Sequence, residues 1–247
     1  MRRFFTEPQN IKGNIATICE DATHITKVLR MKSGEQILVF DGTGYEYICE
    51  LLSVDTDKCE AKILSSKFSE QEPETRVIIY QGIPKSGKME SIIQKSVELG
   101  VHSIVPVAMD RCVSKLEAGK KQDDKISRWN KVAVEAAKQC GRGILPTVEA
   151  PMNFAEAIDK MSKAQLSIMP YEILAGSEAS NLKTVLSENS ATEISVIIGP
   201  EGGFSENEAD LAEKSGIKLV GLGPRILRTE TVSSAILAII MYQNNEM

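Results

Sequence analysis

Val196-Ile197-Ile198-Gly199-Pro200-Glu201-Gly202-Gly203-Phe204-Ser205-Glu206-Asn207-Glu208 joins an apolar run to a glycine-rich turn and then to a helical opening. Ser205 with Glu208 three residues later is a capping box, so a helix starts there, and Gly216 ends it. Gly202 and Gly203 permit positive φ and let backbone amides approach a flat ligand closely. A tight strand-to-helix connection alone would need fewer glycines. Leu222-Gly223-Pro224-Arg225-Ile226-Leu227-Arg228-Thr229-Glu230-Thr231 is a second turn of the same kind, with Thr231 placed to cap the helix that follows. Apolar strands feeding glycine turns that launch helices are the unit of α/β proteins, which bind small molecules at the carboxyl ends of their strands.

Outward from these turns, residues 76 to 198 alternate strands with helices. Strands are expected at Val77 to Gln81, Ser103 to Val107, Leu166 to Met169 and Ile194 to Ile198. Helices are expected at Met89 to Leu99, closed by Gly100, at Ile126 to Cys140, closed by Gly141, and at Phe154 to Met161. The pattern predicts a mostly parallel sheet covered by helices. A last helix, about Val232 to Tyr242, is apolar nearly all round, which fits either a central core helix or a subunit interface.

Residues 1 to 65 read differently. Short strands at Gly13 to Ile18, Gln36 to Phe40, Tyr45 to Val54 and Cys59 to Leu64, with one helix from Ala22 to Leu29 capped by Asp21, predict a small barrel. Residues 65 to 74 are polar and charged and read as a linker.

Composition narrows the function classes. An apolar share of 42% and a charged share of 26% are globular values. No apolar run approaches the length of a membrane span, and the start lacks a signal-peptide stretch. Five cysteines without a C-x-x-C pair read as reduced thiols of a cytoplasmic protein. With two histidines there is no basis for a metal site. The net charge of −5 is uneven. Residues 1–32 carry six basic and three acidic groups, and residues 76–150 carry thirteen and eight. Two basic blocks on one face would suit a nucleic acid, although ordinary solvated faces account for them as well.

Gly82-Ile83-Pro84-Lys85-Ser86-Gly87-Lys88 follows a strand and precedes a helix, which is the setting of a phosphate loop. Met89 stands where such a loop needs Ser or Thr for magnesium, and Pro84 removes a backbone N–H from the cradle. A nucleotide triphosphatase is therefore a weaker reading than a basic loop that offers Lys85 and Lys88 to a larger ligand. The charges Arg225, Arg228 and Glu230 sit beside glycines before a buried helix. Surface ion pairing could explain them, but a polar site in an apolar wall fits their crowding better.

Taken together, these residues resemble the small-subunit rRNA uridine-N3 methyltransferases of the SPOUT class. The resemblance spans nearly the whole chain. It rests on Arg2-Arg3-Phe4-Phe5, on His24 to Arg30, on Met89 to Gly100, and on Arg128-Trp129 with Glu135 to Arg142. The two glycine turns, Ile198 to Phe204 and Arg225 to Thr231, are its most specific part. Val232 is a departure, since a small alanine often follows Thr-Glu-Thr in that family.

The resemblance implies an α/β fold of SPOUT type: a trefoil-knotted, mostly parallel sheet over residues 76–247, with an N-terminal PUA-like β-barrel for RNA binding over residues 1–70. It implies methyl transfer from S-adenosylmethionine to N3 of a uridine in 16S ribosomal RNA, within the 30S subunit, by a homodimer. The implied cofactor-binding residues are Pro170, Ile198, Gly199, Pro200, Glu201, Gly202, Gly203, Leu222, Gly223, Ile226, Leu227 and Arg228, with Tyr171 and Glu172 completing a third wall. Arg228 and Arg225 are candidates to stabilise the uridine anion, and Glu230 or Glu201 to take its proton. Candidate RNA contacts are Arg2, Arg3, His24, Lys27, Arg30, Lys88, Arg111 and Arg142. A non-catalytic RNA-binding protein that kept the fold is the other alternative, and the intact glycine turns weigh against it.

Overall fold

Alternating apolar residues near the N-terminus build one six-stranded sheet. Its strands are β1 (Arg3–Phe5), β2 (Ile11–Lys12), β3 (Ile15–Ile18), β4 (Gln36–Phe40), β5 (Tyr45–Val54) and β6 (Cys59–Phe68), in the order β1-β4-β5-β6-β3-β2. β1 runs parallel to β4, and the other pairs are antiparallel. The inward residues Ile18, Ile37, Val39, Leu51 and Ala61 are fully buried, and Cys49 and Cys59 pack among them as small apolar groups. None of the five cysteines is in a disulfide.

The computed structural model describes residues 1–85, 87–114, 119–174 and 181–247, so Ser86 of the lysine-glycine loop lies outside the described residues. Two compact units emerge: Met1–Glu72 with Val134–Leu145, and Pro73–Ala133 with Pro146–Met247.

In the first unit three local expectations give way. Gly13, at φ +60, makes a turn inside the strand expected from Gly13 to Ile18 and splits it into β2 and β3. The helix expected from Ala22 to Leu29 is short, and His24–Val28 winds as a π-helix. Asp21 caps nothing there. Its carboxylate accepts the Lys138 ammonium at 2.9 Å and the Phe5 N–H at 3.4 Å. The presumed linker is also structural, because β6 extends through Phe68, and Glu72 accepts four hydrogen bonds. These come from the Arg142 Nε and NH2 groups at 3.3 and 2.8 Å and from the Gly143 and Ile144 N–H groups at 2.7 and 2.9 Å.

The second unit holds a seven-stranded sheet in which every pair is parallel. Its strands are β7 (Arg76–Gly82), β8 (Ser103–Ala108), β9 (Thr147–Val148), β10 (Met152–Asn153), β11 (Leu166–Pro170), β12 (Glu193–Ile198) and β13 (Lys218–Val220). The order is β10-β8-β7-β12-β11-β13, with β9 also on β8. β11 is buried along its whole length and β12 all but its first residue, as strands covered on both faces must be. Each fully buried Ile or Val in them contributes about 1.5–3 kcal/mol of apolar burial.

The helices are α1 (Lys88–Glu98), α2 (Lys120–Cys140), α3 (Phe154–Met161), α4 (Leu182–Ser187), α5 (Glu206–Lys214) and α6 (Thr229–Gln243). α2 begins six residues before the expected Ile126, through a charged stretch whose solvent face no apolar period marks. α5 has the expected capping box of Ser205 and Glu208, and Gly216 follows it at φ +83. α6 starts at Thr229 with Arg228 as N-cap residue, so Thr231 lies inside the helix and caps nothing. It packs on α1 and buries Ser233, Ile236, Leu237 and Ile240, the i, i+3, i+4, i+7 stripe, while Ile239 and Tyr242 stay exposed. Among the described residues no helix is long and apolar enough to cross a membrane.

Truncating Glu72 removes the carboxylate that accepts from the Arg142 guanidinium, whose side chain is only 6% exposed, and from two backbone donors. Glu72→Ala should lower the unfolding free energy by about 3 kcal/mol in urea titration, with Glu72→Gln milder. A loss below about 1 kcal/mol would show that the pair is inconsequential.

Candidate active site

β11, β12 and β13 are neighbours and point the same way, so the loops after them open at one edge of the sheet. There they enclose a cavity of about 510 Å³, within the range of small-molecule sites. Pro170 ends β11, and Tyr171 and Glu172 follow it. Ile198 ends β12 and Gly199 through Phe204 follow it, and Leu222, Gly223 and Arg225 through Thr229 follow β13. Every residue expected to hold the cofactor lines this one cavity, together with Lys88 from α1 and Val232 from α6.

The first turn closes with a hydrogen bond from the Gly203 N–H to the Pro200 carbonyl at 3.0 Å. Gly203 sits at φ +67, and a Cβ there would run into the Glu172 carboxylate. A Cβ on Gly202 would approach the Cβ of Arg111 to 2.9 Å. Phe204 anchors the turn in the core, edge-on to Phe154 and Tyr171. Behind it, Glu208 is buried, accepts the Asp110 N–H at 2.9 Å and completes the capping box. These fixed points hold a loop with open backbone and little side-chain bulk against the cavity.

Charge is arranged around Lys88. Its ammonium lies 3.2 Å from Glu201 Oε1 and 3.2 Å from Glu230 Oε2. Both Glu201 oxygens also accept the Lys85 N–H at 3.2 Å. Burial pushes the Glu201 carboxyl upward, but hydrogen bonds from its own backbone N–H, Lys88 and the Lys85 backbone N–H outweigh it and leave the pKa below 4.5. For Glu230 its own backbone N–H is the largest influence, and Lys88 adds to it against burial, so this carboxyl also falls below 4.5. Lys88 is raised in turn, mainly by its hydrogen bond to Glu230. The direction of both shifts runs against the expected role of Glu230 or Glu201 as general base.

Beside them, Thr229 is buried. Its hydroxyl donates to the Gly199 carbonyl at 2.7 Å and accepts the Gln81 Nε2 group at 2.9 Å. Arg225, Ile226 and Arg228 are exposed at the rim.

The expected RNA contacts separate. In the first unit Arg2, His24, Lys27 and Arg30 are exposed, and Arg30 adopts φ 52. Arg3 is taken up by Glu46 at 2.6 Å and by the Arg142 carbonyl at 2.6 Å, and it lies over the Phe40 ring. Arg142 is buried against Glu72. These two guanidinium groups serve the fold and do not fit the expected role of phosphate contacts. In the second unit Arg111 is exposed and donates to the Gly202 carbonyl at 2.9 Å, while Lys88 belongs to the cavity. The phosphate-loop reading fails on the same lysine, which is held by two carboxylates, and on Met89, which is buried. Sequence reasoning missed Gln81 and Thr229 as site residues, because a buried amide and a hydroxyl mark nothing until their partners are known. Among the described residues no group of three or more His, Cys, Asp or Glu is arranged to hold a metal.

Comparison with known proteins bears on this cavity. A family model described as an RNA methyltransferase domain matches residues 70–241, and one described as an RNA methyltransferase PUA domain matches residues 20–64. The ribosomal RNA small subunit methyltransferase E of Bacillus subtilis is 36% identical, over 98% of this chain and 97% of its own length. The crystal structure of the Neisseria gonorrhoeae enzyme of that name, bound to S-adenosylmethionine, is 32% identical with a TM-score of 0.85 over 98% of this chain and 97% of its own. A Legionella pneumophila methyltransferase solved with bound SAM is 28% identical, with a TM-score of 0.86 over 97% and 96% of the two chains. The chain is thus a mixed α/β protein with a parallel sheet and a PUA-like domain.

Carboxyls whose pKa is depressed on folding contribute stability that is complete above the ordinary value and is lost as pH falls through the folded one. The Lys88 bridge should accordingly persist from neutrality down to pH 4.5. NMR titration of the two carboxyl carbons should place both midpoints below 4.5, and a midpoint above it for either would restore that residue as a candidate base. Gly203→Ala must adopt left-handed backbone against the Glu172 carboxylate, and should cost about 1–3 kcal/mol in urea denaturation.

Proposed function

Because the chain belongs to the ribosomal RNA small subunit methyltransferase E family, we propose that it transfers the methyl group of S-adenosylmethionine to N3 of a uridine in 16S ribosomal RNA. The observation that carries this reading is the meeting of both glycine turns in one cavity with Arg225 and Arg228 at its rim. The residues suit the donor. Ile198, Pro200, Leu222 and Leu227 offer apolar walls to a flat adenine, and Gly199, Gly202 and Gly203 leave backbone groups open to it. When bound, the donor supplies an electrophilic sulfonium methyl.

The chain's own residues then orient and stabilise the acceptor. N3 lies on the pairing edge of uracil, so the base enters unpaired and turned out of its stack. Loss of N3–H leaves an anion spread over the flanking carbonyl oxygens, where Arg228 and Arg225 direct their guanidinium donors. Glu201 and Glu230 are held ionised by their own backbone N–H groups and by Lys88, so in this reading the proton passes to solvent.

Residues 1–70 act in this reading as the PUA-like RNA-binding barrel and 76–247 as the knotted methyltransferase domain of SPOUT type. Arg2, His24, Lys27, Arg30 and Arg111, all exposed, supply phosphate contacts that weaken with salt. The exposed Ile239 and Tyr242 of α6 support pairing with a second copy of the chain. The charge available is modest, which favours the assembled 30S subunit as substrate over free RNA.

Titration calorimetry should show S-adenosylmethionine binding without metal. Nucleoside mass spectrometry of treated 30S subunits should find 3-methyluridine. Absence of donor binding, or methylation at another atom, would overturn the reading. Arg228→Ala should lower kcat by about 100-fold or more on 30S subunits. Full rates with wild-type donor affinity would remove Arg228 from the chemistry.

A further inference from the structure

The stretch from Gln81 to Lys88 has the spacing of a phosphate loop and none of its chemistry, yet Gln81 at one end is bonded to Thr229, which lines the cavity, and Lys88 at the other lines it too. At one end the Gln81 side chain is fully buried, and its Nε2 donates to the Thr229 hydroxyl at 2.9 Å and to the Gly82 carbonyl at 3.0 Å. Thr229 passes the connection on, donating to the Gly199 carbonyl at 2.7 Å. At the other end Lys88 bridges Glu201 and Glu230 at 3.2 Å each, and between the ends the Lys85 N–H binds Glu201.

Gly199 and Glu201 belong to the first glycine turn. Thr229 and Glu230 open α6, directly after the second. The same two walls are therefore joined twice, directly by the Thr229 hydroxyl on the Gly199 carbonyl and ionically through Lys88, with Gln81 supporting the first link through Thr229 and Lys88 making the second. The Gln81 Oε1 atom is buried and has no hydrogen-bond partner among the described residues. The connections through Lys88 and Thr229 run across the cavity's wall, and separation of the walls decides how well a flat ligand is gripped on both faces.

We propose that Gln81 and Lys88, through Thr229 and the Glu201 and Glu230 carboxylates, form a clamp that fixes the spacing of the two glycine turns, with Lys88 and Thr229 as positioning residues for the methyl donor. The proposal rests on the reading of the cavity as an S-adenosylmethionine site. Lys88 thereby spends its charge inside the protein instead of on a nucleic-acid phosphate.

The test uses the full chain, with S-adenosylmethionine affinity from calorimetry and methyl-transfer kinetics on 30S subunits. Lys88→Met and Thr229→Val should each raise the donor Kd and KM by about tenfold or more, with kcat falling by less than about threefold. Lys88→Arg, which can still bridge two carboxylates, and Thr229→Ser, which keeps the hydroxyl, should recover most of the affinity. Glu230→Gln combined with Lys88→Met should weaken binding no further than the worse single variant, since both remove one bridge.

Circular dichroism establishes that each variant is folded. If Lys88→Met is not, the Thr229→Val and Thr229→Ser pair carries the test. Folded Lys88→Met and Thr229→Val proteins with donor affinity within twofold of wild type, or losses confined to kcat, overturn the clamp. A wild-type protein that binds no S-adenosylmethionine overturns the function proposed above instead.

Discussion

All seven strands of the second unit run in one direction, so every strand delivers its following loop to the same edge of the sheet. The site depends on this constraint. β12 lies between β7 and β11, and β13 lies on the far side of β11. Their loops are neighbours although they lie far apart in sequence. β12 is paired with β7 over six residues, Glu193 to Ile198, which fixes where the first glycine turn begins. Burial on both faces fixes the register as well, since a one-residue slip would send each of these side chains into the packing of the opposite face. The turn can be rich in glycine and still well placed because the strand beneath it cannot move.

Electrostatics divides the cavity into two parts. Glu201 and Glu230 share the single Lys88 ammonium, which offsets half of their charge and holds the wall together. Arg225 and Arg228 remain exposed at the rim, where an anion forming on an incoming base can meet them. Had the carboxylates been unpaired, they would have opposed such an anion and competed for the arginines. Arg225 and Arg228 are the cationic part of the lining that no ion pair with these carboxylates takes up, within a chain whose net charge is −5. Glu172 differs from the other two. It presses on Gly203, forms no ion pair with any described residue and lines the cavity, where it favours a positively charged ligand group.

Local rules made much of this visible from the residues. The capping box at Ser205 and Glu208, the closing glycines Gly100 and Gly216, and the strands Gln36–Phe40 and Tyr45–Val54 each depend on near neighbours, and each formed where its pattern lay. What stayed hidden depends on partners distant in sequence. Asp21 has the chemistry of an N-cap, but Lys138 lies 117 residues away and claims it. Glu72 looks like part of a polar linker until Arg142, Gly143 and Ile144 surround it. Arg3 and Arg142 show in sequence as basic charge available to RNA, whereas their burial with Glu46 and Glu72 makes them internal. Charge counts do not separate a surface arginine from a buried, paired one.

The loop from Gly82 to Lys88 illustrates the same limit at the site itself. Spacing of glycines and lysine is a statement about backbone freedom and reach, and it leaves open what the lysine meets. In a phosphate loop the helix N-terminus and lysine face an anion in solution. Here the anions are already part of the chain, as the Glu201 and Glu230 carboxylates, so the lysine is satisfied before any ligand arrives. Met89 agrees with that outcome: its side chain is buried, where a metal-ligating hydroxyl would have had to face the ligand. The glycines remain necessary for a second reason. Gly87 adopts φ 88 just before α1, a conformation that lets the chain turn sharply enough to bring Lys88 over the cavity. The motif therefore keeps its mechanical meaning while exchanging an external ligand for an internal one.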